Sequence, residues 1–152
     1  MPTDRPTRRA RQDARQGKAP TTQAGEFVRE EIEHVRHGKH GARSAKQAIA
    51  IGLSKARRAG VKLPPPEPGK TSSQTRRRAQ KDLARGRRKS KPAPKRSRAV
   101  KSALKRESKS SVSRQALARQ ARTAAKRRSN RQRSQTAQKA SRTRTRSRRK
   151  SR

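Results

Sequence analysis

Residues 70–152 hold 33 Lys or Arg and two acidic residues, Asp82 and Glu107. No other feature limits the fold as strongly. Such an excess of one sign repels itself and expands a free chain. The other two parts are nearly balanced: residues 1–25 carry six cations and two Asp, and residues 26–69 nine cations and five acids. The total is +39 over 152 residues. Apolar side chains do not offset this. They make up 24% of the chain, against the roughly 45–50% of ordinary globular domains, with one Phe and no Trp or Tyr. Fixing a residue costs about 1–2 kcal/mol in conformational entropy. The composition therefore predicts a mostly disordered chain around one small all-α hairpin, with weak helices at best in the basic tail.

The hairpin is expected in the balanced part. Val28, Ile32 and Val35 recur at i, i+4, i+7 with Phe27 beside them, which is one helix face over about 24–37. Glu26, Glu30, Glu31 and Glu33 fall early and His34, Arg36 and His37 late, as the helix dipole favours. Thr21 or Thr22 is the expected cap and Gly38 the stop. A second helix is expected over about 45–59. Ser44 and Gln47 form a capping box. Ala45, Ala48, Ile49, Gly52, Leu53 and Ala56 share a face whose small members permit close approach to the first helix, and Gly60 suits the left-handed C′ position, with Val61 at C″. Ile51 lies off that face and hints at a second contact surface. With so few large apolar residues, the hairpin is expected to gain stability from dimerisation, as a homodimer, or from a ligand.

Around it, residues 1–23 read as a flexible basic arm broken by Pro2, Pro6, Gly17 and Pro20, and Pro64–Gly69 as a stiff linker. Residues 70–152 read as a low-complexity polycationic tail with helical potential at Gln74–Arg85, Arg98–Ser108 and Ser113–Arg128. The absence of Cys excludes disulfides, thiolate chemistry and Cys-based zinc sites. The N-terminus lacks the apolar segment of a secretory signal, and no run approaches a membrane span.

Chemistry-bearing constellations are sparse. No nucleophile–base arrangement is present, GKHGARSAK lacks Walker spacing, and no enzyme is expected. His34, His37 and His40 recur every third residue, but Gly38 intervenes before His40 and leaves their convergence open. Solvated or ion-paired histidines are expected, with no metal or cofactor, and the glutamates are expected on an exposed face, paired with basic segments. The cations carry the functional expectation. Counterion release makes any nucleic acid a ligand regardless of sequence. Expected phosphate contacts are Lys39, Arg43 and Lys46 around the start of the second helix, then Arg76, Arg77, Arg78, Arg87, Arg88, Lys89, Lys126, Arg127, Arg128, Arg142, Arg144, Arg146, Arg148, Arg149 and Lys150 in the tail. Aromatic residues for stacking on single-stranded bases are missing, which favours duplex DNA. A membrane surface would want apolar anchors beside the charges.

The block EFVREEIEHVRHGKHGARSAKQAIAIGLSKARRAG, and above all its Lys46–Ser54 core, resembles a family of small, very basic bacterial proteins of unknown function. Some of its members are labelled plasmid stabilisation proteins. The tail is similar only in composition to linker-histone and protamine tails. The resemblance implies a bacterial source and carries no functional residues. The expectation is a cytoplasmic, nucleoid- or plasmid-associated protein that binds DNA without sequence preference. The alternatives are an RNA- or ribosome-associated protein, or a protein-interaction hairpin with a localising tail.

Overall fold

The computed structural model describes residues 4–88 and 93–150, the side chains of 4, 143 and 146–150 excepted. Its elements are α1 (Asp4–Arg15), α2 (Pro20–Arg36), α3 (Ala45–Arg58), α4 (Ser73–Arg88), α5 (Pro94–Lys105), a 3-10 turn at Ser110–Val112, α6 (Arg114–Lys126) and α7 (Asn130–Lys150). No strand occurs among the described residues. The expectation of a mostly disordered chain is thus overturned. The hairpin is present as α2 and α3, but helices also form on both sides of it.

Two physical reasons account for the difference. Ala, Arg, Lys and Gln are strong helix formers whatever their hydrophobicity, and the serines between them act as caps. Ser72 Oγ accepts the Thr75 amide at 3.2 Å, Ser113 Oγ that of Ala116 at 3.2 Å, and Ser129 Oγ that of Gln132 at 3.3 Å. Gln132 Oε1 accepts the Ser129 amide in return, completing a capping box. Near the N-terminus, Pro6 falls in the first turn of α1, where its missing N–H breaks no hydrogen bond. Pro6, Ala10 and Asp13 then make a buried i, i+4, i+7 face. Likewise Pro20 occupies the first turn of α2, which starts from Ala19 rather than from Thr21 or Thr22.

The hairpin helices cross most closely at Gly52. A Cβ there would stand 2.6 Å from Val28 Cα, so only glycine admits this approach. Two apolar clusters flank the crossing. Ala10, Ala24, Phe27, Ala56, Val61 and Leu63 form one, with Leu53 packed against it. Val35, Ala42, Ala48 and Val112 form the other, with Ile32 beside them. Both clusters draw on residues outside the hairpin, Ala10 of α1 in the first and Val112 in the second. The second surface of α3 is covered by α4: Ser54 Oγ donates to Asp82 at 2.6 Å, and Arg58 lies 3.8 Å from the same carboxylate. The expected start and end of α3 both form. Ser44 Oγ accepts the Gln47 amide, and Val61 N–H to Ala56 O with Gly60 N–H to Arg57 O closes the helix around Gly60 at φ 98°. Buried Arg57 then holds the Pro-rich stretch, donating to the carbonyls of Leu63 (3.2 Å) and Pro64 (3.1 Å).

The segment after α5 returns to the hairpin. Gly41 N–H donates to Leu104 O at 2.8 Å, Ala42 N–H to Ser108 O at 2.9 Å, and the Arg36 guanidinium to Val112 O at 3.4 Å. Residues up to Ala116 make one compact unit, and Leu117–Arg152 a second. The second comprises most of α6 and α7. No described residue in it is buried, and it contains no acidic residue.

Candidate nucleic-acid interface and a buried histidine–carboxylate cluster

The acidic side chains of the first unit act as ties between elements. Glu26 meets Arg9 across α1 and α2 at 3.3 Å, and Asp82 joins α4 to α3. Glu107 stands 3.7 Å from Arg43, and Glu31 takes Lys55 Nζ at 2.5 Å across the hairpin. These four carboxylates are drawn to partners on other elements, and of the described acids in this unit only Glu33 and Glu67 stay exposed among a larger number of exposed cations.

On α4 the outward cations form a row. Arg77, Lys81, Arg85 and Arg88 are exposed and follow helical spacing over 11 residues, about 16 Å. Arg77 and Arg88 were expected as contacts; Lys81 and Arg85 emerge only from the helix register. Arg78 and Arg87 are also exposed, whereas Arg76 turns inward and its buried Nε has no hydrogen-bond partner. Lys126, Arg127 and Arg128 are exposed at and just after the end of α6, and Arg142 and Arg144 along α7. Arg146, Arg148, Arg149 and Lys150 belong to the last turns of α7 by backbone. Lys89 lies outside the described residues.

The start of α3 differs from a free anion site. Lys39, Arg43 and Lys46 are exposed there. However, Gln47 N–H is taken by Ser44, Arg43 N–H by Gln47 Oε1 at 2.6 Å, and the Arg43 guanidinium approaches Glu107. Capping uses part of what a phosphate would need.

Two of the histidines lie beside carboxylates, as expected of ion-paired side chains, but they also come together. At the end of α2, Gly38 takes φ 73° while Lys39 N–H bonds His34 O and Gly38 N–H bonds Val35 O. This left-handed closure folds the chain back, and His40 meets His34 edge to face, ring centroids 6.1 Å apart. The interruption at Gly38 is what makes the two converge. His37 stays outside, its Nδ1 donating to Glu33 O at 2.8 Å. Glu31, one turn before His34, is fully buried rather than exposed. Ligand atoms of Glu31, His34 and His40 lie within 4.8 Å of one another. His34 Nε2 is 3.8 Å from Glu30, and His40 Nε2 is 3.3 Å from Glu31 Oε1. Burial, aided by Lys39 and Lys55, lowers the His34 pKa and favours its neutral imidazole. Burial raises that of Glu30, with Glu31 and Glu33 adding to the effect against Lys55 and Lys39. The sequence signal for this cluster is the Glu31-x-x-His34 spacing.

Residues 15–67 match a family of unknown function (DUF6496). The match spans α2, α3 and the Leu63 stretch, and so includes the whole cluster. No curated protein and no solved structure matches the chain. No helix among the described residues is long and apolar enough to cross a membrane.

Proposed function

We propose that this chain binds duplex nucleic acid through its phosphates, without reading base sequence. The observation that carries the reading is the division of charge. Glu26, Glu31, Asp82 and Glu107 tie elements together inside the first unit, while six of the seven cations of α4 and all those of residues 117–145 are exposed. Such rows neutralise phosphates and release counterions, and they gain little from any particular base. Duplex DNA is the favoured ligand, since the chain has no Tyr or Trp and buries its one Phe. A DNA ligand goes with a cytoplasmic, nucleoid-associated place, and the KQAIAIGLSKAR core goes with a plasmid-associated setting. Self-association would let two copies bridge duplexes.

The test is a salt titration of nuclease-treated full-length protein on random duplexes and on structured RNA of matched charge. Log K should fall linearly with log salt, equally for unrelated duplex sequences. Replacing Arg77, Lys81, Arg85 and Arg88 by Gln should reduce the slope by about 3–4, at roughly 0.9 per phosphate. An unchanged slope removes α4 from the interface. An RNA preference at every salt concentration replaces the DNA reading by an RNA-associated one.

A further inference from the structure

Phosphate binding gives no task to the buried cluster at the end of α2, and a site there stands independently of that reading. We propose that Glu31, His34 and His40 form a binding site for a divalent transition ion of the zinc type.

The donor set is selective. Two imidazoles and one carboxylate suit zinc and its neighbours, whereas calcium and magnesium want an oxygen shell. The same three donors leave a fourth position for water. Glu31 and His34 sit at i, i+3 on one helix, the spacing by which Glu-x-x-His pairs ligate metals in helical bundles.

The hydrogen bonds around the donors point the same way. His40 Nδ1 donates to Gly41 O at 3.0 Å. In the neutral ring this leaves Nε2 as a bare lone pair, which is how metal-ligating histidines are fixed. That lone pair faces Glu31 Oε1, which is fully buried and accepts no hydrogen bond. Lone pair against carboxylate oxygen is repulsive unless a metal ion or a proton on Nε2 lies between them, and the metal titration below separates the two. Their separation of 3.3 Å matches a tetrahedral site: two ligand atoms about 2.05 Å from an ion stand about 3.3 Å apart. Lys55 bonds the other Glu31 oxygen, Oε2, and leaves Oε1 free for the ion. Glu30, whose Oε2 is buried without a partner, adds a second carboxylate beside His34. In a chain of +39, this concentration of buried negative charge is where a divalent cation would be retained. Bound there, the ion pins the last turns of α2 to the turn that leads into α3.

The experiment uses tag-free, nuclease-treated, chelator-stripped full-length protein in a buffer without phosphate. Cobalt(II) is titrated with visible absorption as readout, and zinc(II) by calorimetry. The expected result is one ion per chain, cobalt bands of tetrahedral intensity that zinc abolishes, and a higher thermal midpoint with zinc. His34→Gln and His40→Gln should each weaken binding at least tenfold, while His37→Gln leaves it unchanged. Absence of a saturable cobalt spectrum overturns the proposal, and so does a loss in His37→Gln equal to that in His40→Gln. If His34→Gln fails to fold, His40→Gln, placed outside the helices, and the wild-type cobalt spectrum decide alone.

Discussion

Lys55 shows how one cation in this excess can be structural. Its ammonium bonds a fully buried carboxylate, so its removal strands a charge inside the hairpin. Stranding a buried ion costs about 3–5 kcal/mol, whereas replacing both partners by apolar groups is often close to neutral. Lys55→Met should therefore lower the unfolding free energy by about 3 kcal/mol in urea titrations. Lys55→Met with Glu31→Met should lose clearly less. Equal losses would mean that the pair contributes nothing as a pair. Arg57 is a second such residue: burial lowers its pKa, with Asp82 opposing, and its guanidinium is committed to two carbonyls. Neither role is legible in the sequence, where both residues look like helix-dipole partners in the last turns of a helix. Partner identity comes from the crossing at Gly52, which a one-dimensional pattern suggests but does not register. Glu31 is hidden for the same reason. A carboxylate next to three other glutamates reads as solvent-facing until a helix is laid across it.

At the scale of elements, the best-legible helix is α3, whose cap, small-residue face and glycine closure are all written within 17 residues, Ser44–Gly60. The helices of the basic tail are harder to read because they bury little. The starts of α4, α6 and α7 are nonetheless encoded in Ser72, Ser113 and Ser129, which a compositional reading counts as low complexity. The convergence of His34 and His40 is hidden for another reason. It depends on one left-handed residue, Gly38, which the sequence offers as a stop without saying where the chain goes next. Cap removal separates the two kinds of helix. Ser44→Ala should lower the stability of the first unit by about 1 kcal/mol, read as a lower thermal midpoint. Ser129→Ala should leave that midpoint in place and reduce hydrogen-exchange protection at residues 130–133. A fall in the midpoint with Ser129→Ala would show that the two units unfold together.

Over the whole molecule, the arrangement of charge has an energetic side. Outward cations repel one another, while several of the attractive pairs are partly or fully shielded from solvent. Salt screens exposed charges more than buried ones. The thermal midpoint should therefore rise as sodium chloride increases from about 20 to about 300 mM, the range over which the screening length falls below the spacing of surface charges. A midpoint that falls would place the inner pairs, not the outer repulsion, in control of stability. This balance explains why net charge is a poor guide to folding. It measures repulsion at the surface and says nothing of the few carboxylates that join helices.

Val112 seals the lower cluster of the hairpin from a position 64 residues beyond Ala48. The chain is made from its N-terminus at about 5–20 residues per second, so α2 and α3 are complete roughly 3–11 s before Val112 exists to cover them. During that interval Val35, Ala42 and Ala48 face water at the ribosome, and the amides of Gly41 and Ala42 still lack the carbonyls of Leu104 and Ser108. The hairpin is written early and is among the last parts to be finished, and a ribosome that stalls before codon 112 would hold it open.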